Sequence, residues 1–319
     1  MRTHGQSGVR RIGNSLVVGR RTDRPMVLLV GHIDTVPNQG QGEAYVADGR
    51  LHGLGTSDMK SGLAVMLHLL EESEVLSGPF DVVGIFYDKE EGPSVDNGLE
   101  PVLRRVPWLA DAAFAIVTEP TDLELQLGCI GVINAFVRFD GKAAHSARPW
   151  LGENAVTKAG AFLAAMHDRE PEPVEVAGLT FYEVFSVTRA SGGVANNVIP
   201  GSFELNMNYR FGPQRSIDEA ESRLAEVTAD ADEVTIQDVA HSAPVPDEHP
   251  LLERLKVVTG APVTPKQAWT DVARLAQHGI PAVNYGPGET SQAHQVTESV
   301  AVGNLKVAHL ALRRFLTEE

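Results

Sequence analysis

Apolar runs punctuate the first part of the chain, and each ends in polar residues. Val27-Leu28-Leu29-Val30-Gly31 reads as a strand buried on both faces, running into His32-Ile33-Asp34-Thr35-Val36-Pro37. A second run, 80–86, delivers Tyr87-Asp88-Lys89-Glu90-Glu91-Gly92, and a third, 112–117, delivers Thr118-Glu119-Pro120-Thr121-Asp122. Residues 8–18 and 26–31 read as two strands joined by the polar, basic stretch 19–24. Leu63, Met66, Leu67 and Leu70 fall at i, i+3, i+4 and i+7, which predicts a helix reaching residue 74 with Asp58 at its N-terminal end. Open α/β sheets hold their ligand sites outside the C-terminal ends of parallel strands, where these polar clusters lie.

From residue 132 the pattern changes. Strand 132–139, helix 154–168, strands 181–188 and 202–211, helix 216–229 and strand 233–240 give the order βαββαβ, a ferredoxin-like unit inserted into the first domain. After Pro244-Val245-Pro246-Asp247 the earlier alternation resumes, with a helix over 271–278, a strand over 280–285 and a closing helix over 302–316. The predicted fold is α/β: a catalytic domain with a mixed, mostly parallel sheet over 1–130 and 243–319, carrying a ferredoxin-like α+β domain over 131–242.

Composition narrows the function classes. At 319 residues, 43% hydrophobic and 22% charged, the chain suits a globular protein of two domains. A net charge of −15 argues against a nucleic-acid partner, because such binding rests on Lys and Arg neutralising phosphates. The single cysteine, Cys129, excludes an intramolecular disulfide and reads as a small buried residue. The first seven residues lack an apolar signal region, and no stretch has the length of a membrane span, so the expectation is a cytoplasmic enzyme with no membrane partner. Thr270-Asp271 reads as a helix N-cap, and His4, His52, His68, His167, His241, His249, His278 and His309 have no motif around them.

The polar ends of the strands carry the candidate chemistry. His32 and Asp34 share a face if their strand continues that far, so the Asp34 carboxylate can hold the His32 ring as a metal-bound histidine is held. Carboxylates converging on one sheet edge repel one another, and cations resolve the conflict. Late in the chain, Gly286-Pro287-Gly288-Glu289-Thr290-Ser291-Gln292-Ala293-His294 places a further histidine on a Gly/Pro-rich loop. The candidate ligands are therefore His32, Asp58, Glu91, Glu119 and His294. Imidazole and carboxylate without thiolate suit zinc, with cobalt or manganese as competitors. Five ligands exceed the need of one ion, whereas two divalent ions, about +4 in total, match a site in which three carboxylates supply most of the counter-charge. Glu90, beside a ligand, is placed to act as general base, taking a proton from the attacking water and passing it to a leaving nitrogen.

These segments, with Ser57-Asp58-Met59-Lys60, Ala144-His145-Ser146-Ala147-Arg148-Pro149, Asn197-Val198-Ile199-Pro200 and Tyr209-Arg210-Phe211, run in order along nearly the whole chain. In them the chain resembles the M20 metallopeptidase family, and within it the actinobacterial type of enzyme that removes succinate from N-succinyl-LL-2,6-diaminopimelate. The resemblance implies a zinc-peptidase-like catalytic domain and a co-catalytic zinc pair bridged by Asp58. One ion is also held by His32 and Glu119, the other by Glu91 and His294, with Glu90 as the base and a cis peptide between Asp58 and Met59. It implies that His145, Asn197 and Arg210 bind substrate carboxylates or polarise the scissile carbonyl. It further implies a homodimer formed through an edge strand of the inserted lid, which sends His145 into the partner's active site.

The same ligands serve N-acetylornithine deacetylases, aminoacylases and dipeptidases, and an inactive metal-binding homologue acting as an interaction module is the rival from another class. Two departures stand out. Family members usually carry a further helix and strand before the segment matching 9–20, so a misplaced start codon or a truncated chain is expected. The run Asp88-Lys89-Glu90-Glu91-Gly92-Pro93 also differs from the commoner Asp-Glu-Glu-Gly form.

Overall fold

A computed structural model describes residues 8–318; residues 1–7, with His4 and the segment read for a signal region, and residue 319 lie outside the described residues. The chain divides into two compact units. One comprises the described residues up to Gly128 with Val245–Lys266 and the chain from Thr270 onward; the other comprises Cys129–Pro244 and Gln267–Trp269. No helix among the described residues is long and apolar enough to cross a membrane.

The first unit is built on an eight-stranded mixed sheet, in the order Val9–Ile12, Ser15–Val18, Asp81–Tyr87, Met26–His32, Phe114–Val117, Ala282–Asn284, Leu125–Leu127 and Val263–Pro265. Met26–His32 lies between two parallel neighbours, its register running from Met26 opposite Asp81 to His32 opposite Tyr87. Every residue of these three strands is buried, as expected for parallel strands covered on both faces. Shared direction and register bring His32, the segment after Tyr87 and the segment after Val117 to one edge of the sheet.

Glycine makes that edge accessible to the following helix, Ser61–Glu71. A Cβ on Gly31 would lie 2.7 Å from Leu63 Cδ2 and 2.8 Å from Met59 Cε, and one on Gly62 would lie 2.2 Å from the Thr118 carbonyl oxygen. The predicted helix begins later than Asp58, because 56–60 is an irregular turn with non-helical dihedrals at Asp58 and Met59; the Asp58–Met59 peptide is cis, as the resemblance implies. It also breaks at Glu72, which turns to an extended conformation while its carboxylate accepts from Arg313 Nε at 2.8 Å; a second short helix, Ser73–Ser77, follows. The strand predicted over 8–18 is instead a hairpin. Gly13, with φ of +62°, reverses the chain so that Ile12 pairs with Ser15.

The second unit is a five-stranded antiparallel sheet in the order Glu172–Val176, Leu179–Gly192, Ser202–Phe211, Gly131–Asp140, Glu233–Ala240. Alternate residues of its inner strands, among them Ile133, Val137, Leu205 and Met207, form a core with Phe162 and Leu224 from the helices Gly160–His167 and Ile217–Val227. The helix predicted over 154–168 is split between Ala155–Lys158 and Gly160–His167. The expected four strands gain Glu172–Val176, which pairs through the two-residue turn Ala177-Gly178, both residues left-handed with φ of 50° and 76°. Such φ values match the turn to the twist of a hairpin. Pro173, with no amide N–H, sits on this outer edge, whereas the opposite edge strand, Glu233–Ala240, contains no proline and leaves Val234 and Ile236 each 38% exposed.

The close approach at Gly62 is testable. Gly62→Ala is expected to destabilise by about 1–3 kcal/mol, because the clash is with backbone that cannot swing aside. Gly303→Ala, in the helix Val302–Thr317 with nothing within 4 Å of the new methyl, is expected to be neutral or to stabilise by up to about 1 kcal/mol. Urea unfolding midpoints measure both, and equal effects would show that the contact with Thr118 is not what demands glycine.

Candidate metal centre

Five polar side chains meet at the sheet edge. His32 Nε2 lies 3.1 Å from Asp58 Oδ1 and 3.9 Å from Glu119 Oε1, while His294 Nε2 lies 3.5 Å from Asp58 Oδ2 and 3.0 Å from Glu91 Oε2. Asp58 thus turns one oxygen toward each histidine. Two triads result, His32/Asp58/Glu119 and Asp58/Glu91/His294, and Glu90 joins His32 and Glu91 in a third; within each, the donor atoms fall within 4.8 Å of one another. The two histidines differ in access, with the His32 side chain 1% exposed and that of His294 52% exposed.

Local structure explains these positions. His32 ends its strand, and its backbone N–H points to Met59 Sδ at 3.3 Å. The strand does not continue to Asp34, so simple alternation does not bring Asp34 to the ring. His32 Nδ1 is nearest the Asp34 carbonyl oxygen at 3.1 Å, with the carboxylate at 3.5 Å. The Asp34 carboxylate instead accepts the amides of Glu90 and Glu91, each at 3.2 Å, and so fixes the glutamate pair against the histidine strand. Lys89 and His294 both have φ of 62°, a left-handed conformation uncommon outside glycine, and each lies at or beside a candidate site residue.

The electrostatics of the cluster are those of acids pressed together. Burial, then Asp58, pushes the Glu119 carboxyl up to about 7, against the opposing pull of His32 and Lys266. Burial and Glu119 hold Glu90 well above the usual carboxylate range, and burial and Asp58 raise Glu91. For His32, burial would depress the imidazolium, but Asp34, Asp58 and Glu119 outweigh it and raise its proton affinity. Glu119 Oε1 is buried without a hydrogen-bond partner, a costly state for a carboxylate oxygen unless a cation completes it. Oxygen and imidazole donors with no thiolate fit a divalent metal.

The remaining predicted residues lie in the second unit. His145 is exposed, on a two-stranded ribbon in which it pairs with Val198; its Nδ1 accepts the Ala147 amide at 3.1 Å, which leaves Nε2 to carry the proton of the neutral ring. Asn197 is exposed, and its carbonyl accepts the Ser146 amide at 2.9 Å. Arg210 is half-buried on Ser202–Phe211, donates from Nε to Asn208 at 2.9 Å, and has its guanidinium proton affinity lowered by burial.

Sequence reasoning missed Asp271. Read as an N-cap, it makes no capping bond; wholly buried, it accepts the Tyr87 hydroxyl at 2.7 Å, Asn97 at 2.9 Å and Arg274 Nε at 2.9 Å. It ties the strand below Glu90 to the helix Val272–Gln277, and the neighbouring Thr270 bonds Asn284 at 3.0 Å. Of its partners, Tyr87 and Asn97 are far away in sequence, and no local signal marks them.

Comparison with known proteins gives the same direction. The profile of peptidase family M20/M25/M40 matches residues 28–318. A Mycobacterium tuberculosis protein provisionally named succinyl-diaminopimelate desuccinylase DapE is 41% identical over 309 residues, covering 96% of this chain and 86% of the relative. The Corynebacterium glutamicum succinyl-diaminopimelate desuccinylase is 36% identical over 320 residues, covering 97% and 85%. Among solved structures, aminopeptidase PepT of Bacillus cereus superposes with a TM-score of 0.75 at 20% identity, covering 95% of this chain and 85% of that one, a likeness of fold. With a fold, a cluster of acids and a near-complete sequence match that agree, the chain belongs to peptidase family M20/M25/M40 and is a metal-dependent amidohydrolase.

Proposed function

We propose that this chain hydrolyses N-succinyl-LL-2,6-diaminopimelate to succinate and LL-2,6-diaminopimelate, a step toward lysine, using two divalent ions, zinc foremost. The observation that carries the reading is Asp58, with one carboxylate oxygen toward His32 and the other toward His294, in a chain 41% identical to the mycobacterial relative. His32 and Glu119 complete one ion site around Asp58, and Glu91 and His294 complete the other. When bound, such ions polarise the scissile amide carbonyl and acidify the water that attacks it.

The chain's own groups move the proton. Glu90 accepts it from the attacking water and delivers it to the leaving nitrogen, and a carboxyl whose proton affinity is raised by burial and by Glu119 serves both transfers better than a solvated one. Arg210, half-buried and without an acid partner among the described residues, supports a role in taking a substrate carboxylate, a role we assign to Asn197 as well. His145 supplies a donor to the developing oxyanion in the active site of a second copy, a contribution typically worth about 2.7–4 kcal/mol. The copies pair through the edge strand Glu233–Ala240, whose lack of proline and exposed Val234 and Ile236 support it as the open edge. The intact Glu90 beside an intact ligand set disfavours an inactive interaction module.

With zinc supplied, kcat/KM for the succinyl substrate is expected to exceed that for N-acetylornithine by on the order of tenfold or more; the reverse preference would move the chain to another amidohydrolase of the family. Glu90→Gln is expected to bind metal normally yet lose on the order of 10²–10⁴-fold in kcat, whereas Glu91→Gln loses metal. Mixing Glu90→Gln with His145→Ala chains should restore activity through hybrid dimers, and no recovery from exchanged subunits would assign His145 to its own chain.

Metal removal has a pH signature. Glu119 is held at about 7 against 4.5 when unfolded, so the metal-free fold carries an extra proton between those values; the stability this gives is fully present below pH 4.5 and is lost as pH rises through 7. At about 1.4 kcal/mol per pH unit the loss is on the order of 3 kcal/mol, and His32, also raised, adds to it in the same direction above pH 6.5. Melting temperature in chelator should fall from pH 5 to pH 8 while the increment from added zinc widens. A flat metal-free profile would contradict the electrostatic account.

A further inference from the structure

The irregular turn that presents Asp58 is fastened from the far end of the chain. Glu298, 2% exposed, accepts the Gly55 amide on Oε2 at 2.7 Å and the Ser57 and Asp58 amides on Oε1 at 2.8 and 2.9 Å. The Gly53 amide adds a bond to the Glu298 carbonyl at 3.0 Å. A buried carboxylate is costly unless its lone pairs are satisfied, and here three backbone donors converge to satisfy them. The same loop carries His294, four residues earlier, and is stitched to the turn a second time: Ser57 Oγ donates to the Glu289 carbonyl at 2.9 Å and accepts the Glu289 amide at 2.6 Å.

We propose that Glu298 is a positioning residue of the metal centre, an inference that rests on the two-ion reading above. By binding the amide of Asp58 and those of Ser57 and Gly55, it fixes the direction in which the Asp58 carboxylate leaves the turn, so that each oxygen faces one histidine. Because the clamp and His294 share a loop, any shift of that loop moves Asp58 with it, and the two ion sites form or fail together. The acceptor pattern is specific. A glutamine of the same size offers one oxygen and an NH₂ group, so either Gly55 or the Ser57 and Asp58 pair would face a donor instead of an acceptor. Aspartate keeps both acceptors and the charge on a shorter stem.

The test is a cobalt titration of metal-free wild type, Glu298→Gln and Glu298→Asp, followed by calorimetry and by the visible absorption bands of the bound ion, with circular dichroism to verify the fold. Glu298→Gln is expected to lower cobalt affinity by on the order of 10–100-fold and to alter the bands. Its kcat should climb toward the wild-type value as cobalt is raised, with KM unchanged, and Glu298→Asp should recover part of the affinity. Wild-type affinity and spectrum in Glu298→Gln would overturn the inference alone, leaving the metal reading intact. Failure of the wild type to bind cobalt would overturn both. If Glu298→Gln does not fold, Glu298→Asp carries the decision: weakened affinity with altered bands supports positioning, and unchanged binding overturns it.

Discussion

Asp58, Glu90, Glu91 and Glu119 cannot all be anions at one sheet edge without a counter-charge, and the structure around them is arranged so that the protein does not supply all of it. Their loops are held by backbone amides more than by cationic side chains: Asp34 collects the amides of the glutamate pair, and Glu298 those of the turn before Met59. An amide positions a carboxylate loop without neutralising the carboxylate it carries. Lys266, buried near Glu119, and His32 offset only part of the charge, and both Glu119 and Glu90 remain protonated well above the usual range. The deficit is thus preserved for a cation from solution, which competes with protons for the same oxygens.

What could be read in the sequence was whatever depends on neighbours along the chain. The fully apolar strands announced themselves by composition, and the residues at their ends could be named because a parallel sheet sends all such ends the same way. Other features depended on dihedrals or distant partners. Ala177-Gly178 turns a strand back through two left-handed residues, although alanine is not the residue one expects there, and so the strand Glu172–Val176 went unread. Asp271 looked like a cap because it precedes a helix, yet the hydroxyl and amide that bind it lie more than 170 residues upstream. Asp34 fell in the right place for a different reason: the strand stops short of it, and its carboxylate serves the glutamate amides more closely than the imidazole.

The edges of the five-stranded sheet bear on how large an assembly can become. A copy that offers two open strand edges can be extended at both, and stacking of that kind has no natural end. Pro173 denies the outer hairpin strand an amide N–H, and Glu175 adds charge beside it, so one edge resists extension. The sheet is left with a single edge free of proline, Glu233–Ala240. Pairing restricted to one edge per copy saturates when two copies meet about a twofold axis, and a filament has nowhere to grow. On the outer hairpin, Pro173 therefore leaves this sheet with one edge, Glu233–Ala240, on which an added strand would find no proline.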